Sequence, residues 1–304
     1  MRTRRTAIFL VAALAAWVAG SALGTPSAPR AHAMPLMQMG RAHPASHLPP
    51  LDRDEPVFFL VLGSDARPGE RVDRKRSDSI HVIGINPSRH TASILGFPRD
   101  AFVPIPGHGS GKLTSAMSAG GPQLTVQTVE QLTGIQMDYY LLTSFRGIRT
   151  MVKELGGITV DVPYPMHDSA SGSDFEPGVQ EFDGDQALAF SRDRHSTPGG
   201  DFGRSENQGR LLVAALRKFR QEFTQSPSRL LVWMGAGMRN VETDLSIEEI
   251  LDFFFFVATV NPDRVKNVVA PGRVGFAGDA SVVFLSDSAS AMFADLRQDG
   301  VLNR

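Results

Sequence analysis

The chain has 304 residues and no cysteine, and the missing thiol excludes several kinds of protein. A disulfide framework, a CxxC redox pair, a thiolate zinc site and a cysteine nucleophile all require that residue. The formal net charge is only −1, which disfavours a protein that binds nucleic acid through an overall basic surface. Apolar residues make up 42% of the chain, an ordinary fraction for a globular protein, so wholesale disorder is excluded.

Common catalytic motifs are missing as well. The sequence has no G-x-S-x-G elbow and no H-E-x-x-H zinc motif, and its 8 histidines show no spacing typical of metal ligands. The segment 106–114 resembles a phosphate-binding P-loop but has Pro106 in place of the first glycine. It also has Leu113 in place of the Mg²⁺-binding hydroxyl residue. A nucleotide-binding P-loop is therefore not predicted.

Acidic residues are absent from the first 51 positions, which carry a charge of +5, whereas the remainder carries −6. A basic N-terminus, residues 1–6, precedes the apolar run 7–24. Eighteen helical residues span roughly 27 Å, enough for the hydrocarbon core of a membrane. The positive flank predicts that residues 1–6 are cytoplasmic. The run is either a retained transmembrane anchor or a signal peptide cleaved at Ala31-His32-Ala33, and both place the remainder outside the cytoplasm.

Seven prolines mark residues 25–56 as a linker, because the segment has no sustained periodicity and little apolar mass. Residues 57–304 alternate strand-like and helix-like segments and are expected to form one α/β domain with a central mixed sheet. The run 57–62 is apolar throughout, which indicates a strand covered on both faces. Asp183 and Ser246 are predicted to cap helices. The other expected elements are strands at 80–85, 91–97, 139–142, 158–162 and 265–270, and helices at 121–132, 144–155, 183–190, 205–223, 250–260 and 286–297.

Charged residues lie next to several of these strands. Asp65 follows the first strand and Asp78 precedes the second. Two carboxylates that converge outside a sheet would suit a Mg²⁺ ion bridging a phosphate, whereas either one alone could be a turn or capping residue. Arginines also gather in polar, turn-like segments, where they either bind a polyphosphate or form surface salt bridges. They are Arg99, Arg192, Arg194 and Arg204, with Gln208 one helical turn after the last.

Seven segments follow one another in order along the chain: VLGSDAR (61–67), RSDSIHVIGINP (76–87), GFPRD (96–100), KLTSAMSAGGP (112–122), LGGITVDVP (155–163), FDGDQALAFSRDR (182–194) and GDFGRSENQ (200–208). In order and spacing, these segments resemble the LytR–CpsA–Psr family. The segments 243–252 and 270–273 fit the C-terminal part of the family, so the resemblance covers about residues 55–300. Met117, Ser118 and Phe182 depart from the usual pattern, but none of them is a charged site position.

The resemblance implies a single-pass enzyme of the bacterial envelope whose catalytic domain, residues 57–304, is extracytoplasmic. Its fold would be a central mixed β-sheet flanked by helices on both faces, with an apolar cavity for a polyprenyl chain. The enzyme would move a glycopolymer from a polyprenyl-pyrophosphate carrier onto peptidoglycan through a phosphodiester bond, as part of cell-wall assembly. Its partners would be that lipid-linked glycopolymer, the peptidoglycan acceptor and the membrane, with no nucleic acid.

The family's site residues map onto positions that this sequence fills. The resemblance assigns Mg²⁺ or Mn²⁺ to Asp65 and Asp78, and we expect Asp78 to act as the general base. Catalytic roles fall to Asp78, Arg99, Arg192 and Arg194. The residues expected to bind the pyrophosphate are Arg76, Arg99, Lys112, Arg192, Arg194, Arg204 and Gln208.

Two other functions fit the same residues. A polyprenyl-pyrophosphate hydrolase would use the same site with water as the acceptor. A non-catalytic lipid-binding or regulatory protein of the envelope would not need every charged position, and all of them are filled. A DNA-binding regulator is disfavoured by the export signal and by the charge of −6 on the body.

Overall fold

The computed structural model describes residues 36–48, 54–238 and 241–303, which hold fifteen strands and seven α-helices. The strands are β1 (Met37–Arg41), β2 (Val57–Ser64), β3 (Ser77–Asn86), β4 (Thr91–Gly96), β5 (Phe102–Ile105), β6 (Gly109–Lys112), β7 (Tyr139–Ser144), β8 (Ile158–Val162), β9 (Met166–Asp168), β10 (Ser173–Phe175), β11 (Gly178–Phe182), β12 (Val241–Thr243), β13 (Lys266–Val269), β14 (Gly272–Ala277) and β15 (Ala280–Leu285). The helices are α1 (Thr114–Thr133), α2 (Phe145–Glu154), α3 (Gly184–Arg192), α4 (Asp201–Gln225), α5 (Arg229–Met238), α6 (Ile247–Thr259) and α7 (Asp287–Asp299).

The apolar run 7–24, predicted as an anchor or signal peptide, lies outside the described residues, as do the basic residues 1–6. No helix in the described ranges is both long and apolar enough to cross a membrane.

Seven strands form the central sheet, in the order β12-β1-β7-β2-β3-β4-β13. Three adjacent pairs are antiparallel: β1 with β7, β2 with β3, and β3 with β4. The other three are parallel: β1 with β12, β2 with β7, and β4 with β13. The sheet is therefore mixed, as the sequence predicts. The remaining strands pair as two-stranded ribbons outside it.

Strand β2 is buried along its whole length because helices cover both faces of the sheet. Alternate side chains, such as Leu60 and Leu62, enter a core completed by α1 and α7. Phe59, whose side chain points the other way in the pleat, packs on the opposite face against α4, α5 and α6. Each such side chain contributes about 1.5–3 kcal/mol on burial. The expectation of helices on both faces of a mixed sheet is confirmed.

The linker predicted over residues 25–56 includes a strand that sequence analysis did not anticipate. Residues 37–41 form β1, an interior strand of the central sheet between β12 and β7. Met37 is buried and Gly40 faces the ring of Tyr140, so this stretch is part of the folded body. Its hydrogen-bonding partners lie about 100 and 200 residues further along the chain, which is why no local pattern marks it.

Helix starts agree with the capping residues in the sequence. Asp183 and Ser246 each form a capping box at the start of α3 and α6, and Ser144 caps α2. Helix α1 differs from its prediction because it begins at Thr114 and not at Gly121. Gly121 has a φ of 74°, which creates a kink, and Pro122 restarts the helix at a position that needs no N–H donor.

Candidate functional site

The site lies at one edge of the central sheet, where three neighbouring strands end or begin. Asp65 follows the last residue of β2, Asp78 is the second residue of β3, and Arg99 comes three residues after β4. Because β3 runs antiparallel to both β2 and β4, the three positions share that edge. Asp65 and Asp78, the two aspartates considered as a pair from sequence, therefore lie at the same end of adjacent strands.

The two aspartates influence each other electrostatically. Burial raises the pKa of Asp65 above its usual value, and the negative charge of Asp78 adds to this effect. Asp65 Oδ1 is buried and has no hydrogen-bond partner among the described residues. A buried carboxylate oxygen without a donor, next to a second carboxylate, suits a hard cation. Among the described residues, no group of three or more His, Asp or Glu side chains is placed to hold a metal ion.

Arg99 is held by two carboxylates. Its Nη1 donates to Asp78 Oδ1 over 2.6 Å, and its backbone N–H donates to Asp201 Oδ2 over 2.9 Å. The Nε of Arg99 is buried and has no partner within the described ranges. The guanidinium is therefore fixed in position and still has an unused donor, as required of a group that binds an anion.

Helix α4 contributes Arg204 and Gln208 from its first two turns. Arg204 is 5% exposed and donates to Asp201 Oδ1, the oxygen not bonded to Arg99. Burial lowers the pKa of Arg204, although the charge of Asp201 opposes that shift. Gln208 Nε2 donates to the carbonyls of Asp78 and Ser191 at 3.3 and 3.1 Å. The side-chain NH₂ group of Gln208 therefore links α3 to β3. The amide oxygen of Gln208 is the part that a ligand would contact.

Arg192 and Arg194 project from the end of α3 because the residue between them is anchored. Asp193 is fully buried, and its Oδ1 accepts from the backbone N–H groups of His195 and Ser196. Its Oδ2 accepts from Ser173 Oγ at 2.6 Å. The side chains of Arg192 and Arg194, on either side of Asp193, are exposed. Over the described chain, neither arginine has a carboxylate within salt-bridge distance, so both charges are available to a ligand.

Two neighbouring cavities collect these side chains and share Arg99 and Arg194. The first has a volume of about 190 Å³ and the second about 520 Å³. The first is lined by Asp78, Arg99, Phe145, Asp168, Ala170, Ser171, Ser191, Arg192, Arg194, His195, Arg204 and Gln208. The second is lined by Arg76, Arg99, Asp100, Phe102, Gly111, Lys112, Thr114, Ser115, Arg194, Ala280 and Val282.

The predicted pyrophosphate-binding residues divide between these cavities. Arg192, Arg204 and Gln208 line only the first, whereas Arg76 and Lys112 line only the second. Lys112 Nζ lies 3.2 Å from Asp100 Oδ1, so part of its charge is already compensated. Asp65 lines neither cavity. Cationic side chains outnumber carboxylates in both cavities, so the local charge favours an anionic ligand.

Several residues that shape the site were not identified from sequence. Asp201 holds both Arg99 and Arg204, and its spacing of three residues from Arg204 on one helix is a signal that could have revealed the pair. Asp168, at the end of β9, and His195, after α3, line the first cavity from positions 27 residues apart, and no sequence spacing links them. Phe145 lies under Arg192, with the guanidinium carbon 5.2 Å from the ring centre.

His81 was also not identified from sequence. It connects strand β3 of the central sheet to α4, next to the site. It is fully buried, its Nε2–H donates to the carbonyl of Ser205 over 3.0 Å, and its Nδ1 accepts from Ser79 Oγ over 3.1 Å. Burial lowers the pKa of His81 to about 4, so the ring is neutral near pH 7. Gly96 allows this close packing, because a Cβ there would lie 2.4 Å from Ser205 Oγ.

Comparison with known proteins gives consistent relatives. A teichoic acid transferase of Bacillus mycoides, named polyisoprenyl-teichoic acid–peptidoglycan teichoic acid transferase TagU, is 36% identical over 203 residues, 66% of this chain and 64% of that protein. The chain thus spans slightly less than two thirds of that relative. The Enterococcus faecalis protein of the same name is 33% identical over 221 residues, 71% of this chain and 72% of that protein.

A solved structure and a family model extend the match. YwtF (TagT) of Bacillus subtilis, solved with bound octaprenyl pyrophosphate lipid, has a TM-score of 0.63 and 25% identity, covering 84% of this chain and 94% of that one. The model of the LytR_cpsA_psr family matches residues 31–298, nearly the whole chain. The chain is a member of the LytR_cpsA_psr family, as the ordered sequence segments indicate.

Proposed function

We propose that this protein transfers a glycopolymer from a polyprenyl-pyrophosphate carrier onto peptidoglycan, forming a phosphodiester bond. The observation that carries the proposal is the pair of cation-rich cavities, in which Arg192 and Arg194 have no carboxylate partner in the described chain. Uncompensated guanidiniums in a concave site bind phosphate oxygens with two donors each. The names of the relatives and the lipid bound to YwtF support the same substrate class.

Within the proposed site, the arginines bind and polarise the pyrophosphate. Arg192 and Arg194 contact the outer oxygens of the pyrophosphate. Arg99, which is fixed by Asp78 and lines both cavities, contacts the bridging part of the pyrophosphate where the cavities meet. As the acceptor hydroxyl attacks the sugar-side phosphorus, negative charge develops on the leaving polyprenyl phosphate. Preorganised guanidiniums stabilise that charge, and removal of one such donor typically costs about 10²–10³ in rate.

Asp65 and Asp78 are the residues that would hold Mg²⁺ or Mn²⁺. The buried, unpartnered Oδ1 of Asp65 and the raised pKa of its carboxyl fit a cation that the protein binds together with substrate oxygens. The ion would supply further neutralisation of phosphate charge. A titration of Mn²⁺ into the protein with lipid pyrophosphate, followed by electron paramagnetic resonance, should give binding that Asp65→Asn weakens.

The second cavity suits the part of the substrate where the charged pyrophosphate joins the apolar polyprenyl chain. Its wall combines Arg76 and Lys112 with the apolar side chains of Phe102 and Val282. We infer that the apolar polyprenyl chain leaves the site on this side and that the pyrophosphate lies where the cavities meet. Placement of the domain outside the cytoplasm, by an anchor within residues 7–24, belongs to the same proposal and rests on the charge pattern of the sequence.

The proposal is tested by incubating the protein with peptidoglycan and polyprenyl-pyrophosphate-linked glycopolymer labelled in the sugar. Transfer predicts label in peptidoglycan and one polyprenyl phosphate released for each linkage. Arg99→Ala should lower the rate by about 10²–10³. Arg217→Ala is the matched control, because this arginine pairs with Asp263 at an exposed surface away from both cavities. Release of polyprenyl phosphate without labelled peptidoglycan would identify a hydrolase. Binding without any release would favour the non-catalytic alternative.

A further inference from the structure

A histidine–carboxylate pair lies in the first cavity, distinct from Asp65 and Asp78. His195 and Asp168 both line the cavity, and His195 Nδ1 is 3.1 Å from Asp168 Oδ2. The His195 side chain is 57% exposed and the Asp168 side chain 6% exposed. An accessible imidazole therefore rests on a buried carboxylate, an arrangement that fixes the ring and leaves one face open to a ligand.

The carboxylate of Asp168 favours one tautomer of His195. Burial acts to raise the pKa of Asp168, but hydrogen bonds from the Ala170 N–H and from His195 hold that pKa below its usual value. An ionised carboxylate only accepts hydrogen bonds, so a carboxylate oxygen 3.1 Å from Nδ1 favours the tautomer of His195 that carries its proton on Nδ1. The lone pair then lies on Nε2, which has no hydrogen-bond partner within the described residues. This nitrogen is free to accept a proton.

A backbone hydrogen bond fixes the position of His195 relative to Arg192 and Arg194. Its N–H donates to Asp193 Oδ1 over 3.1 Å, so the residue is anchored by the same buried carboxylate that orients Arg192 and Arg194. The other charged groups that line the same cavity, besides Asp168, are Asp78, Arg99, Arg192, Arg194 and Arg204. Asp78 already accepts a hydrogen bond from Arg99 on its Oδ1, so that oxygen is occupied.

We propose that His195 is the general base of the reaction and that Asp168 is its positioning residue. The proposal rests on the function proposed above. Nε2 of His195 takes the proton of the acceptor hydroxyl as its oxygen forms a bond to the sugar-side phosphorus. The bond from that phosphorus to the bridging oxygen breaks, and its electron pair leaves on polyprenyl phosphate. The proton on His195 passes to solvent before the next turnover. The base role expected for Asp78 is thereby reassigned, and Asp78 retains its contact with Arg99.

The test uses His195→Asn in the full chain, because the asparagine amide retains a donor near the position of Nδ1 but has no basic nitrogen. The assay follows release of polyprenyl phosphate against pH and, separately, binding of polyprenyl pyrophosphate. We expect a loss of about 10²–10⁴ in the release rate, since general base catalysis contributes that much. We also expect the ascending limb of the wild-type pH–rate profile to disappear, with lipid binding changed less than threefold.

His167→Asn is the control, because His167 is an exposed histidine paired with Asp174 and does not line either cavity. It should retain the wild-type rate and pH profile. A His195→Asn rate within threefold of wild type overturns the proposal. So does a loss of rate that accompanies an equal loss of lipid binding with an unchanged pH profile. Because release counts both transfer and hydrolysis, wild-type release without labelled peptidoglycan contradicts only the acceptor named in the proposed function.

Discussion

Arg99 and Asp78 form an ion pair at the centre of the site, with 2.6 Å between Nη1 and Oδ1. The pair continues through the backbone N–H of Arg99 to Asp201, whose second oxygen accepts from Arg204. Two carboxylates thus fix two guanidiniums from the sheet edge and from α4. The positions of these arginines therefore depend on each other, and the loss of either carboxylate should affect more than one ligand contact.

Asp201→Ala should destabilise the fold as well as the site. The change leaves Arg204, which is 5% exposed, without its carboxylate partner. Removing one partner of a buried pair typically lowers the free energy of unfolding by about 3–5 kcal/mol. Urea denaturation of Asp201→Ala should show a loss of about 3 kcal/mol. Asp263→Ala removes the partner of an exposed arginine and should cost less than about 1 kcal/mol. Equal stabilities of the two variants would contradict this account of Arg204.

His81 should make the stability of the protein depend on pH. Its folded pKa, about 4, lies below the usual histidine value of 6.5, so the unfolded chain binds the proton more readily. The stabilisation is complete above pH 6.5, is lost as the pH falls towards 4, and amounts to about 3 kcal/mol. Urea denaturation at pH 7.0, 5.5 and 4.5 should show this loss, and His81→Gln should reduce its slope. A slope that His81→Gln leaves unchanged would assign the pH dependence to other groups.

Asp193→Ala should loosen the segment that carries Arg192 and Arg194. The carboxylate is fully buried and accepts hydrogen bonds from Ser173 Oγ and from two backbone N–H groups. Hydrogen bonds to a charged group contribute about 1.5–3 kcal/mol each, so the loss of three of them should lower the unfolding free energy by at least about 4 kcal/mol. Binding of polyprenyl pyrophosphate should weaken at least tenfold, as measured by isothermal titration calorimetry.

The control for that variant is Asp174→Ala, which removes a highly exposed carboxylate from the neighbouring strand β10. It should retain wild-type stability and lipid affinity. Wild-type lipid affinity in Asp193→Ala would show that the loop does not depend on this anchor.

Gly96→Ala should displace α4 from the sheet. A Cβ at this position would lie 2.4 Å from Ser205 Oγ and 3.1 Å from His81 Nε2, so the added methyl group cannot be accommodated in place. Overpacking of this kind typically costs about 1–3 kcal/mol. Because Ser205 follows Arg204, we expect a lower melting temperature together with a reduced transfer rate. Gly107→Ala has no atom near its Cβ position, and its cost should come from backbone strain at φ 73° without loss of transfer.

The fold was largely predictable because its signals are local. The apolar run 57–62 and the capping residues Asp183 and Ser246 each specify an element within a few positions. Strand β1 was missed because its partners in β7 and β12 are distant in sequence. The kink in α1 was missed because a glycine followed by a proline is typical of a helix start. In the structure these two residues interrupt a helix that has already begun and restart it.

The site was predictable only in part, for the same reason. The arginines and aspartates stand in recognisable segments, and the structure brings most of them to two adjoining cavities. The contacts that orient them, such as Asp201 with Arg99 and Asp168 with His195, join positions 102 and 27 residues apart. Such pairings arise from the tertiary fold, so residue types and spacing do not encode them.

The central claim is that the cation-rich cavities bind a lipid pyrophosphate, and native mass spectrometry of the full chain purified from membranes tests it most directly. The account predicts a bound species with the mass of a polyprenyl pyrophosphate, with or without attached sugar. It also predicts that the double variant Arg192→Ala/Arg194→Ala loses this species, whereas Arg217→Ala keeps it. A wild-type protein without bound polyprenyl pyrophosphate, even after incubation with that lipid, or equal occupancy in the double variant, would contradict the account.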